Sequence, residues 1–288
     1  MNVHAQFDQA TSTLTYIVYD VKTLDAIIID PVLNFDQASG KISFESFLKI
    51  KEFVATHQLK IHYILETHAH ADHLTSSYYL KKIYPQAKVA IGERIKEVQE
   101  VFKNVFHLPD LKTDGSQFDQ LLKDGETIQA GSLKINIYNS SGHTPACLSF
   151  LINDHLFTGD ALFLEDSGTG RCDFPKGSAK ELYQSIKKLY SLGDHIKVYV
   201  GHDYQPNGRE LRFMSTIGEE KEKNIQIKAH TSENEYVEFR TKRDKTLSAP
   251  KLLLPSIQVN INAGKLPTME ANGVSYLKMP LSLTEMPN

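Results

Sequence analysis

The segment ETHAHADH, residues 66–73, sets His68, His70, Asp72 and His73 within six positions. Imidazole and carboxylate suit zinc, iron or manganese, whereas calcium and magnesium take more oxygen ligands. With 12 histidines in 288 residues, three at H-x-H-x-x-H spacing are not expected by chance. Three more residues of ligand type stand just beyond apolar runs: His143 after SLKINIYNSSG, Asp160 after HLFTG and His202 after KVYVG. Taken singly, a histidine at a strand end is an ordinary polar loop residue, and an aspartate after glycine is a turn former. Taken together they offer five histidines and two carboxylates to one metal centre, because ligands of α/β sheets gather outside the strand ends. The other seven histidines, His4, His57, His62, His107, His155, His195 and His230, have no comparable context and read as structural.

Such a centre needs strands that deliver four loops to one edge. Residues 66–73 alternate too tightly for one helical face, which requires spacings of three or four. They predict a loop between the strand KIHYILE (60–66) and a helix from Leu74 to Tyr84 that Pro85 stops. Upstream, TLTYIV (13–18) and AIIID (26–30) read as an antiparallel hairpin opening the fold, and Ser43 to His57 as an amphipathic helix. Downstream, KVAI (88–91) reads as a strand and the stretch near Glu93–Phe102 as a helix. SLKINIYN (132–139), ACLSFLI (146–152) and HLFTG (155–159) follow as strands. A Gly-rich loop SGTGRCDFPKG (167–177) then leads to a helix over 178–192 capped by Ser178, and KVYVG (197–201) is the last clear strand. This mixture predicts an α/β protein with two packed sheets and helices outside.

Composition narrows the function. A net charge of -3, from 32 basic and 35 acidic residues, disfavours a nucleic-acid partner, which usually requires a basic excess. No apolar run approaches the roughly 20 residues that span a bilayer. The N-terminal residues lack a basic region followed by an apolar stretch, so the expected location is the cytoplasm, away from membranes. Cys147 and Cys172 make no C-x-x-C pair and read as reduced, structural residues. From about Ser232 the texture changes: a basic run RTKRDK (240–245) precedes APKLLLPSIQVNINAG (249–264). The apolar positions there need a partner surface, which divides the chain into a catalytic domain, 1–231, and an extension, 232–288, packed on it or on a subunit partner in a homo-oligomer. The basic run reads either as a solvated helix face or loop, or as a docking site for an anionic group.

The motifs THAHADH, GHT (142–144), TGD (158–160) and GHD (201–203) resemble, in order and approximate spacing, the metal motifs of the metallo-β-lactamase superfamily. The resemblance covers roughly Val3 to Asn224 and implies an αββα sandwich with metal at one edge. ETHAHADH, GHTPACLSF, TGDALF, GRCDFPKG and VGHDY look most like the persulfide dioxygenases, and the tail resembles that of the bacterial β-lactamase-like hydrolase branch. One departure is Ala146, where many relatives have glycine. The resemblance implies one Fe(II) per chain on His68, His143 and Asp160, a two-histidine, one-carboxylate set with open positions for sulfur and dioxygen. His70, Asp72, His73 and His202 would then orient ligands and waters. Arg171, Asp173 and Tyr204 would shape a pocket for glutathione persulfide, with Arg171 available to a substrate carboxylate or to Asp173. The alternative is a hydrolase similar to glyoxalase II, in which the same seven residues hold two metals, zinc among them, with Asp160 bridging, to cleave a glutathione thioester.

Overall fold

The structure is a computed structural model that describes residues 1–282. The chain opens with β1 (Asn2–Asp8), β2 (Thr13–Tyr19), β3 (Asp25–Ile29), β4 (Val32–Asp36) and β5 (Lys41–Ser43). Then come α1 (Glu45–Thr56), β6 (Lys60–Leu65), β7 (Leu74–Thr75), α2 (Ser77–Ile83), β8 (Lys88–Gly92), α3 (Ile95–Val105) and β9 (Gln120–Leu122). The second half carries β10 (Thr127–Ala130), β11 (Leu133–Asn139), β12 (Leu148–Ile152), β13 (His155–Phe157), α4 (Ala179–Tyr190), β14 (Lys197–Tyr199) and β15 (Met214–Thr216). Helices α5 (Ile217–Lys223), α6 (Glu233–Asp244) and α7 (Leu253–Asn260) complete it. Hydrogen bonds order these strands as two six-stranded sheets, β1-β2-β3-β6-β8-β9 and β10-β11-β12-β13-β14-β15, with a small ladder β5-β4-β7 beside them.

Alternation along the strands decides which face is covered by what. Leu14, Tyr16 and Val18 of β2 and Ile27 and Ile29 of β3 share one core with Ile135 and Ile137 of β11 and Phe150 of β12, so the two sheets pack face to face. The intervening residues Ile17, Ala26 and Ile28 meet Ile50 and Val54 of α1 and Val98 and Phe102 of α3 on the other side. Leu182, Ile186 and Leu189 of α4 cover the second sheet. The result is an αββα sandwich, the architecture that the resemblance implies. Between β3 and β6 the register jumps, Ala26 pairing with Ile61 and Ile27 with Tyr63, so His62 bulges out and Ile61 and Ile64 reach the same helix-covered face.

Strands β2 and β3 form the expected antiparallel hairpin, and Ser178 caps α4 by accepting from the Glu181 amide. The helix expected from Leu74 instead starts at Ser77, because Leu74 and Thr75 pair with Leu33 and Val32 as a strand. Strands β1, β4, β5, β9, β10 and β15 and helices α5 and α7 are not evident from sequence. The three-residue strands carry too few residues for an alternation to register, and α5, IGEEKEK, has only Ile217 and Glu220 buried. Among the described residues no helix is long and apolar enough to cross a membrane.

Glu220 gives the fold a pH dependence of its own. It is fully buried, with Ser215 Oγ and Asn224 Nδ2 donating to its carboxylate. Burial pushes its carboxyl up to about 7 from an ordinary 4.5. A raised carboxyl contributes stability that is fully present below the unfolded value and is lost as pH rises through the folded one, here about 3 kcal/mol between pH 4.5 and 7. Glu220→Gln is therefore expected to gain stability relative to wild type at pH 8 but not at pH 4.5. Urea unfolding at both pH values checks it, and parallel pH dependences of the two proteins would remove Glu220 as the source.

Candidate metal centre

The four expected loops leave the C-terminal ends of β6, β11, β13 and β14 and converge on one edge of the sandwich. Gly159, in the left-handed region at φ +50°, turns the chain into Asp160, and a Cβ there would lie 2.5 Å from Thr67 Oγ1. Atoms of His68, His143 and Asp160 lie within 4.8 Å of one another. The Nε2 atoms of His68 and His143 stand 3.9 and 3.6 Å from Asp160 Oδ2.

Neighbouring hydrogen bonds fix the tautomers of both histidines. The Thr67 hydroxyl donates its one proton to Asp30 Oδ2 at 2.8 Å, so it accepts from His68 Nδ1 at 3.0 Å. His143 Nδ1 donates to the Arg171 carbonyl at 2.6 Å. Both imidazoles therefore turn Nε2 toward Asp160, and His68 Nε2 is buried without a hydrogen-bond partner. Burial, reinforced by His70, holds the His68 imidazolium well below its ordinary range, so the ring is neutral. Burial opposes ionisation of Asp160, but His202, His68 and His143 outweigh it and keep the carboxyl well below the usual carboxylate range. Two imidazole nitrogens and one buried carboxylate fit a transition-metal cation, and the unpartnered His68 Nε2 is the atom such an ion would satisfy.

The remaining four residues surround this group. His202 Nδ1 faces the Ser12 carbonyl at 3.2 Å, and its Nε2 stands 3.2 Å from Asp160 Oδ1 and 3.3 Å from Asp72 Oδ2. Burial lowers its pKa, but Asp160 and Asp72 prevail and raise it to about 9. His73 donates Nδ1 to the Leu74 carbonyl at 3.0 Å, and burial together with His70 lowers its pKa to about 4. His70 directs Nε2 toward Asp30 Oδ1 at 3.0 Å and Glu66 Oε2 at 3.4 Å. Atoms of His70, Asp72 and His73 also come within 4.8 Å of one another, which makes a second potential ligand group beside the first.

A cleft of about 830 Å³ opens over His143 and Asp160, walled by Phe163, Tyr204, Arg171, Arg243 and Lys251 among others. Tyr204 stacks on His202 with ring centroids 5.4 Å apart and a 10° interplanar angle. Arg171 binds both carboxylate oxygens of Asp173, at 2.5 and 2.6 Å, and donates to the Ser248 carbonyl at 2.7 Å. Its guanidinium thus ties loop to C-terminal segment while its own carbonyl orients His143. The basic run is neither a free helix face nor a loop throughout. Arg240 is 2% exposed and pairs with Asp244 at 2.6 Å, whose other oxygen accepts from the Cys172 amide at 2.8 Å, whereas Arg243 is exposed at the cleft.

Residues that sequence reasoning missed are those that hold the ligands and their loops: Asp30, Glu66, Thr67 and Asn260 at residues 66–75, and Asp244 at the Cys172 amide. Asp30 had a signal, as the lone acid ending the apolar run AIIID. Asn260 had none, being one polar residue in a tail 187 positions after its partner His73.

Known proteins extend the picture. Residues 10–202 match the family described as "Metallo-beta-lactamase superfamily". The chain is 48% identical over 284 residues to "Glyoxylase B2" of Dictyostelium discoideum, covering 98% of this chain and 97% of that one. It is 32% identical over 224 residues to human "Persulfide dioxygenase ETHE1, mitochondrial", covering 77% and 74% respectively. Among solved structures, that of ETHE1 from Myxococcus xanthus superposes with a TM-score of 0.74 at 30% identity, over 92% of this chain and 100% of that one. The two face-to-face sheets, the loops of potential metal ligands at their edge and these similarities agree: the chain belongs to the metallo-beta-lactamase superfamily.

Proposed function

We propose that the protein is a mononuclear iron-dependent persulfide dioxygenase, oxidising glutathione persulfide with dioxygen and water to sulfite and glutathione. The observation that carries this reading is the convergence of His68 Nε2, His143 Nε2 and the Asp160 carboxylate beneath an open cleft. The 32% identity to human persulfide dioxygenase and the likeness to the Myxococcus structure support it. Iron(II) held there would supply the coordination sites and redox chemistry through which a persulfide sulfur reacts with dioxygen. The chain's own part is to orient. Thr67 and the Arg171 carbonyl aim the two imidazoles, and His202 is held between Asp160 and Asp72. Phe163 and Tyr204 give the cleft an aromatic wall.

The substrate's charge is addressed by the C-terminal segment. Arg243 and Lys251 line the cleft without an ion-pair partner among the described residues, a disposition suited to the carboxylates of glutathione. Replacing both by Ala is expected to raise KM for glutathione persulfide about 5-fold with kcat unchanged, since exposed charge pairs contribute under about 1 kcal/mol each and bind ground and transition states alike. Steady-state oxygen uptake at low and high salt checks this; an unchanged KM would place the carboxylates elsewhere.

One observation favours a second reading. The His70, Asp72 and His73 group could take a second metal, and the similarity to "Glyoxylase B2" fits a hydrolase of glutathione thioesters. Metal analysis of freshly purified protein, combined with an oxygen-electrode assay on glutathione persulfide, separates the two. One iron with oxygen uptake supports the dioxygenase; two metals with oxygen-independent thioester cleavage supports the hydrolase.

A further inference from the structure

Residues 68–73 carry four of the seven ligand-type side chains, yet among the described residues no backbone-to-backbone hydrogen bond reaches them. A loop so placed would hold its side chains poorly unless something else fixed its carbonyls. One side chain does so. Asn260, at the C-terminal end of α7 and 3% exposed, donates both amide hydrogens of Nδ2, to the His70 carbonyl at 2.8 Å and the His73 carbonyl at 2.7 Å. Its Oδ1 accepts from the Thr75 amide at 2.9 Å. Reversing the amide would set Oδ1 against two carbonyl oxygens, so the hydrogen-bond network selects this orientation.

The platform beneath Asn260 is stiff. Val259 packs with Leu33 and Leu74 of the small ladder, Ile257 and Ile261 are wholly buried in the helix-side core, and the Ile261 carbonyl accepts from Gln99 of α3 at 2.9 Å. The amide is therefore held by a packed helix and not by the loop it serves.

We infer that Asn260 is a positioning residue of the metal centre, pinning the ligand loop at His70 and His73 so that His68, Asp72 and His73 keep their places. The C-terminal segment is then part of the centre and not an accessory to it. The inference rests on metal binding at these residues and holds for oxygenase and hydrolase alike. No other short side chain offers two donors and one acceptor from a single planar group; aspartate has the same shape and neither donor.

The test is Co(II) binding to the full-length apo protein, titrated against a competing chelator, for wild type, Asn260→Asp and Asn260→Ala. Ile257→Ala serves as a control that damages the same helix without touching the loop. Both Asn260 variants are expected to weaken Co(II) binding about 10–100-fold, the usual loss for an outer-shell partner, and to alter the visible Co(II) bands. Ile257→Ala should lower Tm while binding Co(II) within about twofold of wild type, as expected of damage to packing alone. The Ala variant carries the test if the Asp variant does not fold. Asn260 variants that bind Co(II) as tightly as wild type, with the same bands, would overturn the brace, as would Ile257→Ala weakening Co(II) equally. Failure of wild type itself to bind Co(II) would instead refute the metal centre on which the brace depends.

Discussion

Asp160→Ala is expected to lose iron and oxygen consumption together, to background, in a protein that stays folded. Asp160 is the only anion among His68, His143 and itself, and without it no carboxylate of the group would balance a divalent cation. The fold should survive because the carboxylate ties no strands together: its neighbours are the imidazoles of the centre itself, His68, His143 and His202, at the sheet edge. His202→Ala makes the contrast. It removes a group beside Asp160 and Asp72, so activity should fall about 10–100-fold while most of the metal stays. In a two-metal hydrolase the same change would strip one metal of two. Iron content by mass spectrometry and oxygen uptake on glutathione persulfide, measured on the same preparations, provide the comparison. Asp160→Ala with full iron and full oxygen uptake would remove the triad from the reaction.

How much of this was legible in the sequence depends on where each partner lies along the chain. The potential ligands announced themselves because each follows an apolar run, and apolar runs here are strands: His143 after β11, Asp160 after β13, His202 after β14. The sheet order was not readable. That β13 pairs in parallel with β14 while β12 pairs with β13 antiparallel depends on tertiary packing, which local pattern does not encode. The residues that aim the ligands were hidden for the same reason. Thr67 and Asp30 are 37 positions apart, Asp244 and Cys172 are 72 apart, and Asn260 and His70 are 190 apart. Arg171 was half legible: of the two partners its position offered, a substrate carboxylate or Asp173, its guanidinium takes Asp173, while its second partner, the Ser248 carbonyl 77 positions away, had no local signal.

Ending the chain after Thr231 is expected to give a protein that aggregates and holds no metal. The cut removes α6 and α7, and with them Tyr236, Ile257, Val259 and Ile261, all wholly buried. At about 1.5–3 kcal/mol for each buried side chain of this kind, four contribute about 6–12 kcal/mol. That is comparable with the entire stability of a typical domain, about 5–15 kcal/mol. The surfaces left behind are apolar: Leu33 and Leu74 lose Val259, and Leu182 and Tyr190 lie in the core that loses Tyr236. The metal centre loses its supports in the same stroke. The His70 and His73 carbonyls lose Asn260, the Cys172 amide loses Asp244, and Thr169 loses both the Tyr236 hydroxyl and the Arg240 guanidinium. Light scattering after size exclusion and metal stoichiometry read the two effects separately. A monodisperse fragment with wild-type Tm would mean that residues 232–288 add little to the body, and a soluble fragment that still binds metal tightly would mean that the ligand loops hold themselves.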